Sequence, residues 1–386
     1  MHKMIMSALS AVSVAALVSG CSDATSEEGT DLTAEALAAA VASGCTPESV
    51  KGSQLHIYTW SDYISPAVQR SFEEALGVTI VIDTFESNEA MYAKLKAGGS
   101  GYDIIMPTSY QIATMAKEGM IDKLDHSRIP NVRKNFDKAF ASQIIDSTFE
   151  YNVPYAVTYT GLAVLTNKVP AGVDVSSWAV LGESAFKGRV TLLDDIREVI
   201  GAGLMYLGYS INSTNPKEID AAVEQILKWR KNVRKFDGES YKTEVPGGST
   251  WVGHGYSTDV YQVIVGDEEA GAPPRNDVVF VLPKEGYSIA FDEMVVSSKA
   301  KNKALAYAFM NYIYEGKVAA VNMEYICGPN PVKPGLDLLD PEYRSIIIVP
   351  EDKLALGQVL KGFDDKPEVM ELYNKAWDKI KATEAK

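Results

Sequence analysis

The chain has 386 residues and a formal net charge of -14, with 46% hydrophobic and 23% charged residues. That is a globular composition long enough for two domains, and its acidity argues against nucleic acid and weakly favours a cationic partner. Three cysteines and four scattered histidines give neither a disulfide scaffold nor a metal cluster, and no interior apolar stretch approaches the ~20 residues of a membrane span.

At the N-terminus, His2 and Lys3 precede an apolar run from Met4 to Val18, closed by Ser19, Gly20 and Cys21. Residues 1–20 are short, lack acids and end in small residues, which reads as an export signal. The stretch LVSGC (17–21) resembles a bacterial lipobox, which makes Cys21 the lipidated first residue of the mature chain. An ordinary signal with a stray cysteine is the other reading. Residues 21–51 read as a tether, with an alanine-rich helix over 32–42 that has little to bury and is expected to be only partly ordered. Cys45 lies in this leader, and its pairing with Cys327 in an oxidising compartment stays open.

From Gly52 strands and helices alternate. LHIYTWSDY (55–63) reads as a buried strand running into a loop that carries Tyr58, Trp60 and Tyr63 beside Ser61 and Asp62. In an α/β fold a loop at the carboxyl end of a strand is where ligands sit, although rings there also cap a core. A helix after Pro66, the strand VTIVIDTF (78–85), a helix capped by Ser87 and the strand YDIIM (102–106) follow. Thr108 and Tyr110 lie in the next loop, and 111–119 is helical. Residues 152–167 are long and apolar, a crossing into a second unit.

That unit begins with a strand over 188–193, the exit Asp194-Asp195 and a helix over 196–207. Asn215-Pro216-Lys217-Glu218 has the parts of a helix start. Residues 236–250 read as a loop and HGYSTD (254–259) as another. A strand over 277–282 precedes the strand 288–297, where Asp292 and Glu293 interrupt an apolar run, one on each face. Acids there need a reason. This strand is the candidate return crossing. Helices over 301–314, 317–325 and 367–381 close the chain, the last anchored by Leu372, Tyr373 and Trp377.

Collecting strand exits and loops gives Trp60, Asp62, Tyr63, Thr108, Tyr110, Asp195, Glu198, Tyr256, Asp259 and Asp292. Asp195 and Glu198 share a helix face, where acids also serve the helix dipole. Asp259 stands where an acid also caps a helix. Carboxylates among rings suit a flexible polyamine, since ring–ammonium contacts contribute ~0.5–2 kcal/mol each. No GxSxG, HExxH, P-loop or dinucleotide fingerprint competes, and a glycosidase carboxylate pair fits poorly with so many loop rings.

Eight motifs, in order, carry a resemblance: IYTWSDY (57–63), ESNEAMYAKLKAG (86–98), YDIIMPTSY (102–110), KEGMIDKLD (117–125), LLDDIREV (192–199), GYSTDVYQ (255–262), LPKEG (282–286) and LYNKAWDKIK (372–381). From about residue 53 onwards the chain resembles the extracytoplasmic spermidine/putrescine-binding proteins of bacterial ABC importers. The resemblance implies an α/β, two-lobe periplasmic binding fold of type II, with the cleft between lobes joined by crossing strands. Lobe 1 would comprise 52–156 and 293–346, lobe 2 157–292, and 347–386 a helical segment packing on the lobes. Together with the LVSGC stretch it implies a monomeric, lipid-anchored, non-enzymatic receptor with no cofactor or metal, which hands putrescine or spermidine to a permease.

Residue by residue, Trp60, Ser61, Asp62, Tyr63, Thr108 and Tyr110 match first-lobe cleft positions. Asp195 and Glu198 match acids that receive an amine end, and Asp292 an acid that holds another nitrogen. Asp259 resembles the acid found in putrescine-preferring members. Tyr256 and Ala290 depart from the family, standing where many relatives have tryptophan, and a family tyrosine falls near Cys327, with Tyr325 close by. Tyr287 and Phe291 are the candidates to refill the space at Ala290. His254, if charged, would oppose a polycation. The same fold tuned to another solute, and a polyamine sensor without transport, are the rival readings.

Overall fold

Leu55 and Ile57 are fully buried in the first strand, β1 (Gln54–Thr59), of the computed structural model, which describes residues 31–266, 271–363 and 366–382. β1 pairs in parallel with β2 (Thr79–Thr84) and β3 (Ile104–Ile105). The long apolar segment becomes β4 (Asn152–Leu165), buried at every position. β5 (Val190–Leu192), β6 (Val233–Phe236), β7 (Val252–Tyr256), β8 (Val278–Val281), β9 (Tyr287–Val296) and β10 (Gly357–Val359) follow. One sheet runs in the order β2-β1-β3-β9-β4-β7-β5-β6, with β10 beside β9 and β8 beside β4.

β4 contributes to both apolar cores, and β9 lies antiparallel beside it from Asn152 to Thr160. Asn152 to Ala156 lie opposite Val295 to Asp292, where β3 adds on. Thr160 lies opposite Ser288, where β7 takes over as β4's other neighbour. One apolar core gathers Leu55, Ile57, Phe72, Phe309 and Tyr312, and a second gathers Trp178, Ile200, Ile226 and Trp229. Such near-continuous apolar strands are what a sheet covered on both faces needs.

Local signals place the helices. Ser65, Ser87 and Asn215 accept backbone N–H bonds at the starts of helices Pro66–Leu76, Asn88–Lys96 and Pro216–Trp229. Gly77 ends the first of these in the left-handed region, φ 62°.

Three expectations need correction, for the leader, for 236–250 and for HGYSTD. The leader is not a loosely ordered tether from Asp31 onwards: helix Thr33–Ala42 buries Ala36, Ala39 and Ala40 against helices Pro66–Leu76 and Lys303–Ile313. Alanine is the small residue that lets helices approach, and cross-bonds fix the contact. Leu32 N–H reaches Ser71 Oγ at 3.0 Å, and Asn311 Nδ2 donates to the Ala39 carbonyl at 2.9 Å. Cys45 and Cys327 are free thiols, each buried in its own packing environment.

The 236–250 loop holds a helical turn, Tyr241–Glu244. HGYSTD is no loop either. His254 to Tyr256 end β7, and Ser257 to Asp259 open helix Ser257–Val265. The C-terminal segment divides between the cores: Ile347 and Val349 join the first, whereas Leu360, Phe363, Tyr373 and Ile380 join the second. Residues 1–30, on which the expected export signal and Cys21 fall, lie outside the described residues.

Candidate ligand-binding site

Side chains alternate along β9, so Ser288, Ala290 and Asp292 share one face, opposite Thr160, Thr158 and Ala156 of β4. This face is a floor of small residues with an acid at one end, and Ser288 and Asp292 are about 13 Å apart along the strand. Tyr63 OH donates to one Asp292 oxygen, and Thr108 Oγ1 to the other at 2.7 Å. Asn88 orients that threonine, donating to its Oγ1 at 2.9 Å and accepting from its N–H at 2.9 Å. Burial pushes Asp292 up to about 6, against the pull of the two hydroxyls. Its neighbour Glu293 is buried on the opposite face and accepts from Asn152 Nδ2 at 2.9 Å.

At the other end, Asp195 does two things. One oxygen caps helix Ile196–Tyr206, accepting from the N–H of Arg197 at 2.8 Å and of Glu198 at 2.9 Å. The other oxygen meets Tyr256 OH at 3.5 Å. Glu198 accepts from Ser288 Oγ at 2.9 Å, and its second oxygen is buried with no partner among the described residues. Burial, then Asp195, pushes Glu198 up to about 8.

Glu89 joins this group from the first lobe, and sequence reasoning missed it. Tyr110 OH donates to it at 3.4 Å, and burial followed by Asp195 pushes it up to about 7. The buried Arg197 guanidinium lies 5.5 Å from the Tyr110 ring centroid, yet bonds to the Lys361 carbonyl and Asn212 rather than to these acids. None of the ion pairs among the described residues involves Asp292, Asp195, Glu198 or Glu89.

A third cluster differs. Asp62, exposed and at φ 52°, meets Lys242 Nζ of the second lobe at 3.1 Å. The same ammonium lies 3.2 Å from Glu239 and 3.8 Å from Asp259. Asp259 accepts from Tyr241 OH, which in turn accepts from the Tyr256 N–H at 2.9 Å. Lys242 therefore ties the loop after β1 to the turn Tyr241–Glu244 and to helix Ser257–Val265.

The rings sort themselves. Tyr58 is in β1 rather than the loop, stacked on Tyr102 at 4.4 Å in a satellite core. Trp60 is half-buried, edge-on to Phe85 at 4.4 Å, and its indole N–H has no partner among the described residues. Ser61 is half-buried beside it. Tyr287 and Phe291 do not refill the space at Ala290, because they occupy the opposite face of β9. Tyr287 OH reaches the Lys353 carbonyl at 3.1 Å, and Phe291 packs on Phe140 at 6.2 Å. His254 carries no charge into the cleft, because burial lowers it to about 3, and it lies edge-on to Trp178 at 5.2 Å.

Two facing lobes, crossing strands and a floor between buried acids are the plan of a solute clamp. Residues 67–345 match the family described as bacterial extracellular solute-binding protein. The chain belongs to that family. Its members bind and deliver solutes outside the cytoplasm and are not enzymes.

A putrescine/cadaverine-binding protein of Pseudomonas aeruginosa is 32% identical over 339 residues, covering 86% of this chain and 95% of the relative. Among solved structures, a putative spermidine/putrescine ABC transporter from Listeria monocytogenes has a TM-score of 0.77 at 30% identity, covering 85% of this chain and 99% of that one. The TpPotD lipoprotein of Treponema pallidum has a TM-score of 0.73 at 27% identity, with the same coverages.

Proposed function

We propose that this solute-binding protein captures a polyamine in the cleft and delivers it to an ABC permease. The observation that carries the reading is the pair of acidic ends, buried Asp292 and buried Asp195/Glu198 with half-buried Glu89, which form no ion pair among the described residues. A buried carboxylate without a cation is costly, and an incoming ammonium group removes that cost. Thr158, Thr160, Ser288 and Ala290, all small, lie between the ends and suit a methylene chain. The relatives' stated ligands support the same class.

In this reading Tyr63 and Thr108 orient Asp292, Tyr256 and Ser288 orient the second group, and Trp60, Ser61 and Tyr110 border the chain. Asp62 and Asp259 belong to the rim. The lobe division at 52–156 with 293–346 against 157–292 belongs to the same proposal, with 31–51 added to the first lobe. So does a monomer held at the membrane by lipid on Cys21. Calorimetric titration of purified protein, refolded to strip bound solute, tests the function. Putrescine, cadaverine, spermidine, spermine and a basic amino acid are compared at one salt concentration. Saturable binding of a polyamine is expected, and binding of none of the amines would overturn the reading. For the anchor, mass spectrometry of the mature N-terminus reads the lipid on Cys21 directly.

A further inference from the structure

Three acidic clusters surround the cleft, and one already holds a cation. Lys242 Nζ lies 3.1 Å from Asp62, 3.2 Å from Glu239 and 3.8 Å from Asp259, with its side chain only 17% exposed. The position is built rather than incidental. Lys242 follows Tyr241, whose buried ring is locked by Asp259 and by the Tyr256 N–H, so the backbone that presents the ammonium is fixed on the second lobe. One of its carboxylates comes from the first lobe, so the ammonium sits across the cleft rim. Burial by itself opposes its charge, but Asp259, Glu239 and Asp62 outweigh burial and raise its pKa.

We propose that Lys242 is a built-in ammonium that occupies the third acidic cluster and thereby sets a preference for diamines over triamines. This rests on the polyamine reading. Two ammonium groups at the two unpaired ends satisfy Asp292 and the Asp195/Glu198/Glu89 group. The third amine of a longer solute finds its carboxylates already paired and meets a like charge. An isolated surface ion pair would carry no such consequence, because it contributes little. Here Lys242 and Asp259 are shielded while Asp62 and Glu239 face solvent, and the ammonium draws on three acids and joins two lobes.

The test is calorimetry of the wild-type protein, K242M and K242R with putrescine and spermidine, alongside thermal unfolding of each protein. K242Q is a second neutral variant should K242M fail to fold. The readout is the ratio of the spermidine Kd to the putrescine Kd. We expect a neutral residue to lower this ratio by about tenfold or more and K242R to keep it near the wild-type value. An unchanged ratio in a folded neutral variant, with the wild type binding putrescine, would overturn the role of Lys242 alone. A lysine that merely latches the lobes gives that result, weakening both amines equally. A wild type that binds neither amine would overturn the polyamine reading and this inference with it.

Discussion

Asp292 accepts two hydroxyl bonds and forms no ion pair among the described residues, so its ionised form is incompletely compensated there. An ammonium group completes the site. Asp292→Asn keeps the shape and removes the charge, leaving that ammonium buried without its partner, a loss of about 3 kcal/mol or more. Polyamine Kd is therefore expected to rise by roughly a hundredfold or more in calorimetry, and an unchanged Kd would remove Asp292 from the site. Glu198→Gln is expected to act in the same direction.

The same acids predict a pH dependence. Asp292, Glu89 and Glu198 have native values raised to about 6, 7 and 8, so the empty fold binds more protons than the unfolded chain. Their contribution to stability is full below about pH 4 and is lost as pH rises through those values. A polycation favours the ionised forms, so binding should tighten from about pH 5.5 to about 8.5 and release about one proton or more at pH 7. Titration in two buffers of different ionisation heat measures that release, and a flat Kd with none would contradict it. Asp292 was legible in the sequence because it breaks an apolar strand. Glu89 was not, because an acid in a first helical turn is ordinary, and Lys242 was one lysine in a polar stretch.

At the level of elements, β7 shows how backbone shape holds side chains in place. A Cβ on Gly255 would lie 2.4 Å from the Tyr241 ring, which is buried and has no free direction to move. Gly255→Ala is expected to destabilise the fold by about 1–3 kcal/mol, seen as a lower Tm, and to loosen the hydroxyl that binds Asp259. A variant with unchanged Tm would mean that the ring is free to shift. Much of this architecture was legible beforehand. Ser87 and Asn215 announce their helices, and the apolar length of β4 announces a crossing strand. Other elements were not. The helix Thr33–Ala42 has a weakly apolar face, and its burial depends on two helices distant in sequence. HGYSTD looked like a loop because its glycine and polar residues serve strand contacts and a strand-to-helix junction, which local composition does not distinguish from a turn.

For the whole molecule, the decisive feature is that β4 runs through both cores. β4 contributes Val153 to Tyr159 to the first core and Leu162 to Leu165 to the second, and β9 is paired along it from Asn152 to Thr160, so unfolding around one core strips neighbours from the other. The C-terminal segment adds a second tie, with Ile347 and Val349 in the first core and Tyr373 and Ile380 in the second. Few linkers of this kind leave two lobes independent, so a single calorimetric transition is expected rather than two. Ligand strengthens the argument, because both acidic ends must be assembled for binding, one resting on lobe-1 hydroxyls and the other on the helix of lobe 2. Polyamine at 100 times its Kd should stabilise the whole transition by about 2.7 kcal/mol, moving it as one peak. Two resolved transitions, with polyamine raising only one of them, would instead mean that the crossing strands bend without coupling the lobes.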